Sequence, residues 1–244
     1  MATAEDVPEL HRRLVELFGQ HRWEPELDPL GELVSTIIGQ HTSGVTSRRA
    51  YGQLREAFPT WELVRAAETE AIAAPIRCAG LARQKAARIK AVLERVAEER
   101  GSLELDFLGE LDEAAAMTWL RRLPGVGQTT AACVLLFGLG RPVMPVDGGI
   151  LRIGRRLGLV PPRGTPEEVQ RVLEGAVPAA WIHTLHVNLI RFGRQICLAT
   201  HPQCQLCPLN DRCDYFQDSL PQGRGLGWGD AFRVVRGAGP RSTR

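Results

Sequence analysis

At 244 residues the chain can bury a full core as one large domain or two small ones. Its 30 Lys and Arg against 28 Asp and Glu leave a net charge of +2, too little by itself to identify a nucleic-acid partner. No apolar run approaches the roughly 18 residues needed to cross a bilayer, so no membrane association is expected. The opening Met1-Ala2-Thr3-Ala4-Glu5-Asp6 lacks the basic and apolar stretches of a secretory leader, which predicts a cytoplasmic protein whose clustered cysteines serve a metal and not disulfides.

Apolar residues recur at helical spacing along the chain: Leu10, Leu14, Leu17 and Phe18, then Leu30, Leu33 and Ile37, then Ile89, Val92, Leu93 and Val96. Gly101 closes the third pattern as a C′ residue, and Thr165-Pro166-Glu167-Glu168 combines an N-cap, a proline at N1 and a capping-box glutamate. No stretch alternates with period two, so the fold class read here is all-α. Cys78 and Cys133 fall in apolar helical surroundings and are expected to be buried bystanders.

The pattern from Asp112 to Arg122 predicts a helix, Leu123-Pro124-Gly125-Val126-Gly127 a tight turn, and Gln128 to Phe137 a second helix. This is a helix-hairpin-helix arrangement, or a plain αα-hairpin if the glycines serve the turn alone. Gly125 and Gly127 allow close approach of a partner, and amides opening a helix attract phosphate oxygens without reading sequence. The connector Gly138-Leu139-Gly140-Arg141-Pro142-Val143-Met144-Pro145 reads as a domain crossing. Asp147 follows, 20 residues beyond Gly127, as a helix N-cap whose carboxylate could also stabilise an oxocarbenium sugar or orient a water.

Arg121, Arg122, Arg152, Arg155, Arg156, Arg191 and Arg194 flank these motifs, which makes the motif side the basic side. Cys197, Cys204, Cys207 and Cys213 are spaced C-x6-C-x2-C-x5-C. Four thiolates in that span suit either a [4Fe–4S] cluster or a structural zinc ion, and the single C-x2-C pair leans toward iron–sulfur. From Asp218 onward the composition turns to Gly, Arg and Pro, which reads as a loosely ordered basic tail.

Five elements in order resemble endonuclease III and the wider helix-hairpin-helix, Gly/Pro-Asp (HhH-GPD) superfamily of base-excision DNA glycosylases. They are Ile37-Ile38-Gly39-Gln40-His41-Thr42-Ser43, Gly80-Leu81-Ala82-Arg83-Gln84-Lys85-Ala86, the hairpin, Val146-Asp147, and the cysteines preceded by Phe192-Gly193-Arg194. The resemblance implies a six-helix domain over residues 23–137, with the hairpin at 112–137, inserted into a cluster domain of residues 1–22 plus 138–217; the tail is 218–244. It further implies a [4Fe–4S] cluster on the four cysteines, double-stranded DNA with a damaged or mispaired base as partner, a monomer, and base flipping. Gln40 and Leu81 then enter the duplex, Gly125, Val126, Gly127 and Arg194 contact DNA, and Asp147 is catalytic.

Three departures bear on the chemistry. Thr129 stands where bifunctional relatives place a lysine that forms a Schiff base, and threonine cannot form an imine. AP-lyase activity is therefore expected to be weak or absent. Gly148-Gly149 replaces the common Thr-His pair after the aspartate, which opens the pocket and leaves the base lesion undefined. In the loop Leu198-Ala199-Thr200-His201-Pro202-Gln203 only His201 can carry a positive charge. A catalytically inactive damage-binding paralogue and a zinc-stabilised interaction module are the competing readings.

Overall fold

A computed structural model describes residues 3–219, and every regular element among them is helical. Their contacts form two compact units, one of residues 23–145 and one in which the residues up to 22 join those from 146 onward. The crossing thus falls at Pro145–Val146 and not at residue 138. Two features hold the connector in the first unit: Val143 is buried in its core, and Arg141 donates to the carbonyls of Gly109 (3.1 Å) and Leu111 (2.8 Å). The part of the tail beyond Ser219 lies outside the described residues.

Within residues 23–145 the α-helices are α2 (Pro29–Gly39), α3 (Gly44–Ala57), α4 (Trp61–Ala66), α5 (Thr69–Ala73), α6 (Ala82–Arg100), α7 (Glu113–Arg121) and α8 (Gln128–Cys133). These are seven, not six, because Thr60 caps a separate short α4 by accepting from Leu63 N. The centre is α2. Asp28 caps it by accepting from Gly31 N (2.9 Å), Pro29 occupies its first turn, and Leu30, Leu33, Val34, Ile37 and Ile38 are fully buried. Each such side chain contributes roughly 1.5–3 kcal/mol through removal from water. Along α6 the buried positions Ala86, Ile89, Val92, Leu93 and Val96 keep helical spacing, and the helix ends on Gly101 at φ +73°.

The hairpin's second helix does not run on to Phe137 in α geometry. After Cys133, residues Val134–Gly138 form a π-helical turn that packs on α2. Gly138 permits the approach, since a Cβ there would lie 2.9 Å from Pro29 Cα. Cys78 is exposed and Cys133 half-buried, against expectation, because Cys78 sits on a 3-10 turn (Arg77–Ala79) whose buried residue is Ala79.

Glu32, on α2, has its carboxyl pushed up to about 7 by burial, only partly offset by a hydrogen bond from Thr36 Oγ1 (3.0 Å). The folded state therefore holds this proton more tightly than the unfolded chain. The stability so conferred is complete below about pH 4.5 and is lost as pH rises toward 7, by on the order of 3 kcal/mol. Glu32→Gln, which keeps the acceptor for Thr36, is expected to flatten the fall in melting temperature between pH 5 and 7. An unchanged pH profile in that variant would contradict this assignment.

The second unit holds α1 (Val7–Phe18), α9 (Gly148–Leu157), α10 (Pro166–Ala176), α11 (Ile182–Gln195) and α12 (Asp214–Ser219). Here α11 packs on α1 and α9; Leu185, Leu189 and Phe192 of α11, Leu10 and Leu14 of α1, and Ile150, Ile153 and Leu157 of α9 are all buried. The capping box before α10 is present on both sides: Glu168 N donates to Thr165 Oγ1 (3.2 Å), and Thr165 N to the Glu168 carboxylate (2.6 Å). No helix among the described residues is long and apolar enough to cross a membrane.

Candidate nucleic-acid interface and cysteine site

In the unit of residues 23–145 the hairpin is a short turn between α7, capped by Asp112, and α8. Val126 is buried (6%) and donates its N–H to Leu123 O (3.1 Å), which anchors the turn and leaves Pro124, Gly125 and Gly127 exposed. Gly125 is required by its backbone, since its φ is +71°; an added Cβ would also push aside the end of the neighbouring Arg88 side chain. Gly127 differs: it is extended at φ −91° with nothing within 4 Å of an added Cβ, so neither backbone nor internal packing demands glycine there. Thr129 is half-buried at the second position of α8.

Gln40 ends α2 and is half-buried. Its Oε1 accepts from Arg88 Nη1, and its Nε2 donates to Thr130 Oγ1 at 3.3 Å. Gln40 is thereby tied to the residue that covers Gly125 and to α8. Leu81 is 56% exposed at the start of α6 with φ +52°, and His41 is exposed with φ +55°. Left-handed backbone at a residue with a Cβ costs roughly 1–2 kcal/mol, so both must be held by their surroundings.

Both lysines are occupied. Lys85 is buried (3%), and its Nζ donates to Ile38 O (2.7 Å), Thr42 Oγ1 (2.7 Å) and Ala79 O (2.9 Å); burial pushes its pKa down. Lys90 Nζ donates to Ala67 O at 2.8 Å. Sequence reasoning assigned Lys85 no role although it lies in one of the family-like motifs. Its position four residues after the exposed Leu81 was the available signal.

In the other unit Asp147 is exposed at the N-cap of α9, and its Oδ1 accepts from Ile150 N at 2.8 Å. An added Cβ at Gly148 would meet nothing within 4 Å, whereas one at Gly149 would lie 3.1 Å from Asp147 Oδ1. The glycine pair thus leaves the carboxylate uncrowded.

From Asp147, α9 leads to the cysteine loop. Arg152 donates to Cys197 O (2.8 Å) and Gly193 O (3.1 Å); Arg156 donates to Leu198 O (2.7 Å) and Ala199 O (3.1 Å) and sets Nη1 3.4 Å from Cys197 Sγ. Arg155 turns to Gly164 O (2.7 Å). These three arginines bind carbonyls of their own unit, which corrects their reading as part of an outward basic face. Arg121 and Arg194 remain exposed, whereas Arg122 pairs with Glu99 at 3.2 Å.

Cys197, Cys204, Cys207 and Cys213 line one cavity together with Phe192, Tyr215 and Phe216. Cys207 and Cys213 are buried, and burial pushes the Cys207 thiol up to about 12. Leu209 N donates to Cys207 Sγ (3.4 Å). Arg13 pins the loop to α1 through Asp211 (2.7 Å) and Pro208 O (3.0 Å). His201, in the loop between the first two cysteines, is exposed with φ +51°.

A helical chain with a glycine hairpin, a helix-capping aspartate after it and a four-cysteine loop has the build of a base-excision glycosylase. The chain belongs to the HhH-GPD superfamily of base excision DNA repair proteins, which residues 34–179 match, and within it is endonuclease III-like. It is 33% identical over 211 residues to endonuclease III of Thermotoga maritima, covering 86% of this chain and 93% of that protein. Endonuclease III of Rickettsia conorii is 29% identical over 211 residues, covering 84% and 95%. The Arabidopsis thaliana DNA glycosylase/AP lyase ROS1 matches 67% of this chain at 29% identity, but the match spans only 13% of that longer protein. Among solved structures, a trapped endonuclease III–DNA covalent intermediate aligns with a TM-score of 0.78 at 26% identity, covering 89% of this chain and 99% of that one.

Proposed function

We propose that this DNA glycosylase acts on double-stranded DNA as a monomer, flips a damaged or mispaired base, and hydrolyses its N-glycosidic bond with a water oriented by Asp147. It cleaves the abasic product weakly or not at all. One observation carries this reading. The two lysines of the chain are bound to backbone and side-chain acceptors elsewhere, and Thr129 occupies the position from which a lysine would attack the sugar. The uncrowded carboxylate of Asp147 is left to stabilise positive charge on the sugar as the base departs. The exposed glycines of the hairpin and Arg194 meet phosphates, and Gln40 and Leu81 fill the space vacated by the flipped base.

Cys197, Cys204, Cys207 and Cys213 hold a [4Fe–4S] cluster in this reading. The four thiols line one cavity, and their C-x6-C-x2-C-x5-C spacing with its single C-x2-C pair favours the cluster over a structural zinc ion. The cluster supplies a cross-link that orders residues 197–213.

End-labelled duplexes, each carrying one modified base or an abasic site, test the proposal when divided after incubation into samples with and without hot alkali. Breaks only after alkali are expected, and the reactive lesion names the substrate. Breaks without alkali, together with a borohydride-trapped adduct, would overturn the monofunctional assignment. Binding with no break under either condition would favour the damage-binding paralogue.

A further inference from the structure

We propose that Lys85 is a positioning residue: its buried ammonium fixes the spacing of the Gln40–Thr42 loop and the Ala79–Leu81 turn, so that their exposed side chains enter DNA as one preformed wedge. This rests on the glycosylase reading above.

The three acceptors of Lys85 come from three separate segments: Ile38 at the end of α2, Thr42 in the loop that follows, and Ala79 just before Leu81. Thr42 Oγ1 closes the network, because it accepts from Lys85 and donates to Ala79 O at 2.6 Å. Two non-glycine residues with left-handed backbone flank these contacts, His41 on one side and Leu81 on the other, with Gly80 at φ +68° between Ala79 and Leu81. The exposed apolar side chains nearby are Leu81 (56%) and Val45 (73%), the latter in the first turn of α3. A buried cation thus sits beneath two strained, solvent-facing tips.

Helix stability does not account for an ammonium here. Lys85 lies near the start of α6, where the helix dipole disfavours a cation. Its charge is matched instead by Ile38 O, among the last carbonyls of α2, which have no intrahelical donor. A methionine would fill the same volume but leave Ile38 O without its donor and Ala79 O with that of Thr42 alone. What the ammonium adds, beside the Thr42 Oγ1–Ala79 O bond, is a second link that fixes the distance between the 38–42 segment and Ala79. Enzymes that unstack duplex DNA with an apolar wedge need that distance set beforehand, since ordering the wedge during binding would weaken it.

The test uses full-length protein and duplexes with a tetrahydrofuran abasic analogue beside 2-aminopurine, against undamaged duplex. Thr42→Val removes the hydroxyl from the ammonium, and Thr42→Ser keeps it. The Val variant is expected to bind the abasic duplex about tenfold more weakly, since the hydroxyl's bonds with Lys85, Ala79 and Gln40 are lost together. Its 2-aminopurine emission at saturation should be lower and its melting temperature reduced by a few degrees, while it stays folded at the assay temperature and its affinity for undamaged duplex matches wild type. The Ser variant should retain wild-type values. Lys85→Met is expected to lose more on the same readouts, and the Thr42 pair carries the test should that variant fail to fold. Equal losses on both duplexes, or no difference between Val and Ser, would overturn the role of Lys85. A wild-type protein that shows no preference for the abasic duplex would instead overturn the glycosylase reading itself.

Discussion

Asp147→Asn is expected to reduce base release by a factor on the order of 10³–10⁴ while leaving the fold and DNA affinity near wild type. Asparagine is the informative substitution because the residue has two duties. As N-cap of α9 it accepts from Ile150 N, and an asparagine Oδ1 makes the same bond, so stability should change by only a few tenths of a kcal/mol. In the proposed reaction its carboxylate faces the sugar, and there a neutral amide could not replace it, because an amide neither stabilises an oxocarbenium ion nor takes a proton from water. Alanine would confuse the two, since it also removes the cap at about 1 kcal/mol. Single-turnover release from the reactive duplex, read after alkali, separates them. Retention of more than a tenth of the wild-type rate would remove Asp147 from the chemistry.

What the sequence revealed was largely what neighbouring residues decide among themselves. The buried spacing along α6, its stop at Gly101 and the capping box at Thr165 are set within a few residues, and each is found where the pattern predicts it. The turn at Leu123–Gly127 is equally local. The features that escaped depend on distant segments. Arg152 and Arg156 read as part of the basic motif side until their partners, carbonyls more than 40 residues away, are known. Lys85 has no role assigned from sequence, because its partners at residues 38, 42 and 79 lie in segments brought together only by the fold. The π turn after Cys133 arises where that segment packs on α2 at Gly138, which no periodicity encodes.

Cys207→Ser is expected to abolish the brown absorption of the purified protein and lower its melting temperature by roughly 10 °C or more, an estimate that takes the cluster as a metal-linked part of the fold. Apart from the bonds from Arg13, Arg152 and Arg156, residues 197–213 have little apolar or regular structure to hold them. They contain two 3-10 turns of three residues each, Cys204–Leu206 and Asn210–Arg212, and Leu209 is their one fully apolar buried anchor besides the buried cysteines. Without a metal, Cys207 would remain a buried neutral thiol beside three others, a cross-link lost with nothing in its place. The loss should stay local. Arg13 still grips Asp211, and α1 still packs on α11, so helicity measured by circular dichroism should change little while the loop becomes open to protease. Iron analysis discriminates the readings: about four iron atoms per chain are expected if the centre is [4Fe–4S], and stoichiometric zinc in colourless protein would replace it with the interaction module. Because Arg152 and Arg156 hold the loop's first carbonyls from α9 and Asp147 caps the far end of that helix, cluster loss should weaken DNA binding before it alters the hydrolytic rate of bound substrate. A Cys207→Ser protein with wild-type colour and melting temperature would show that this cysteine is not a ligand.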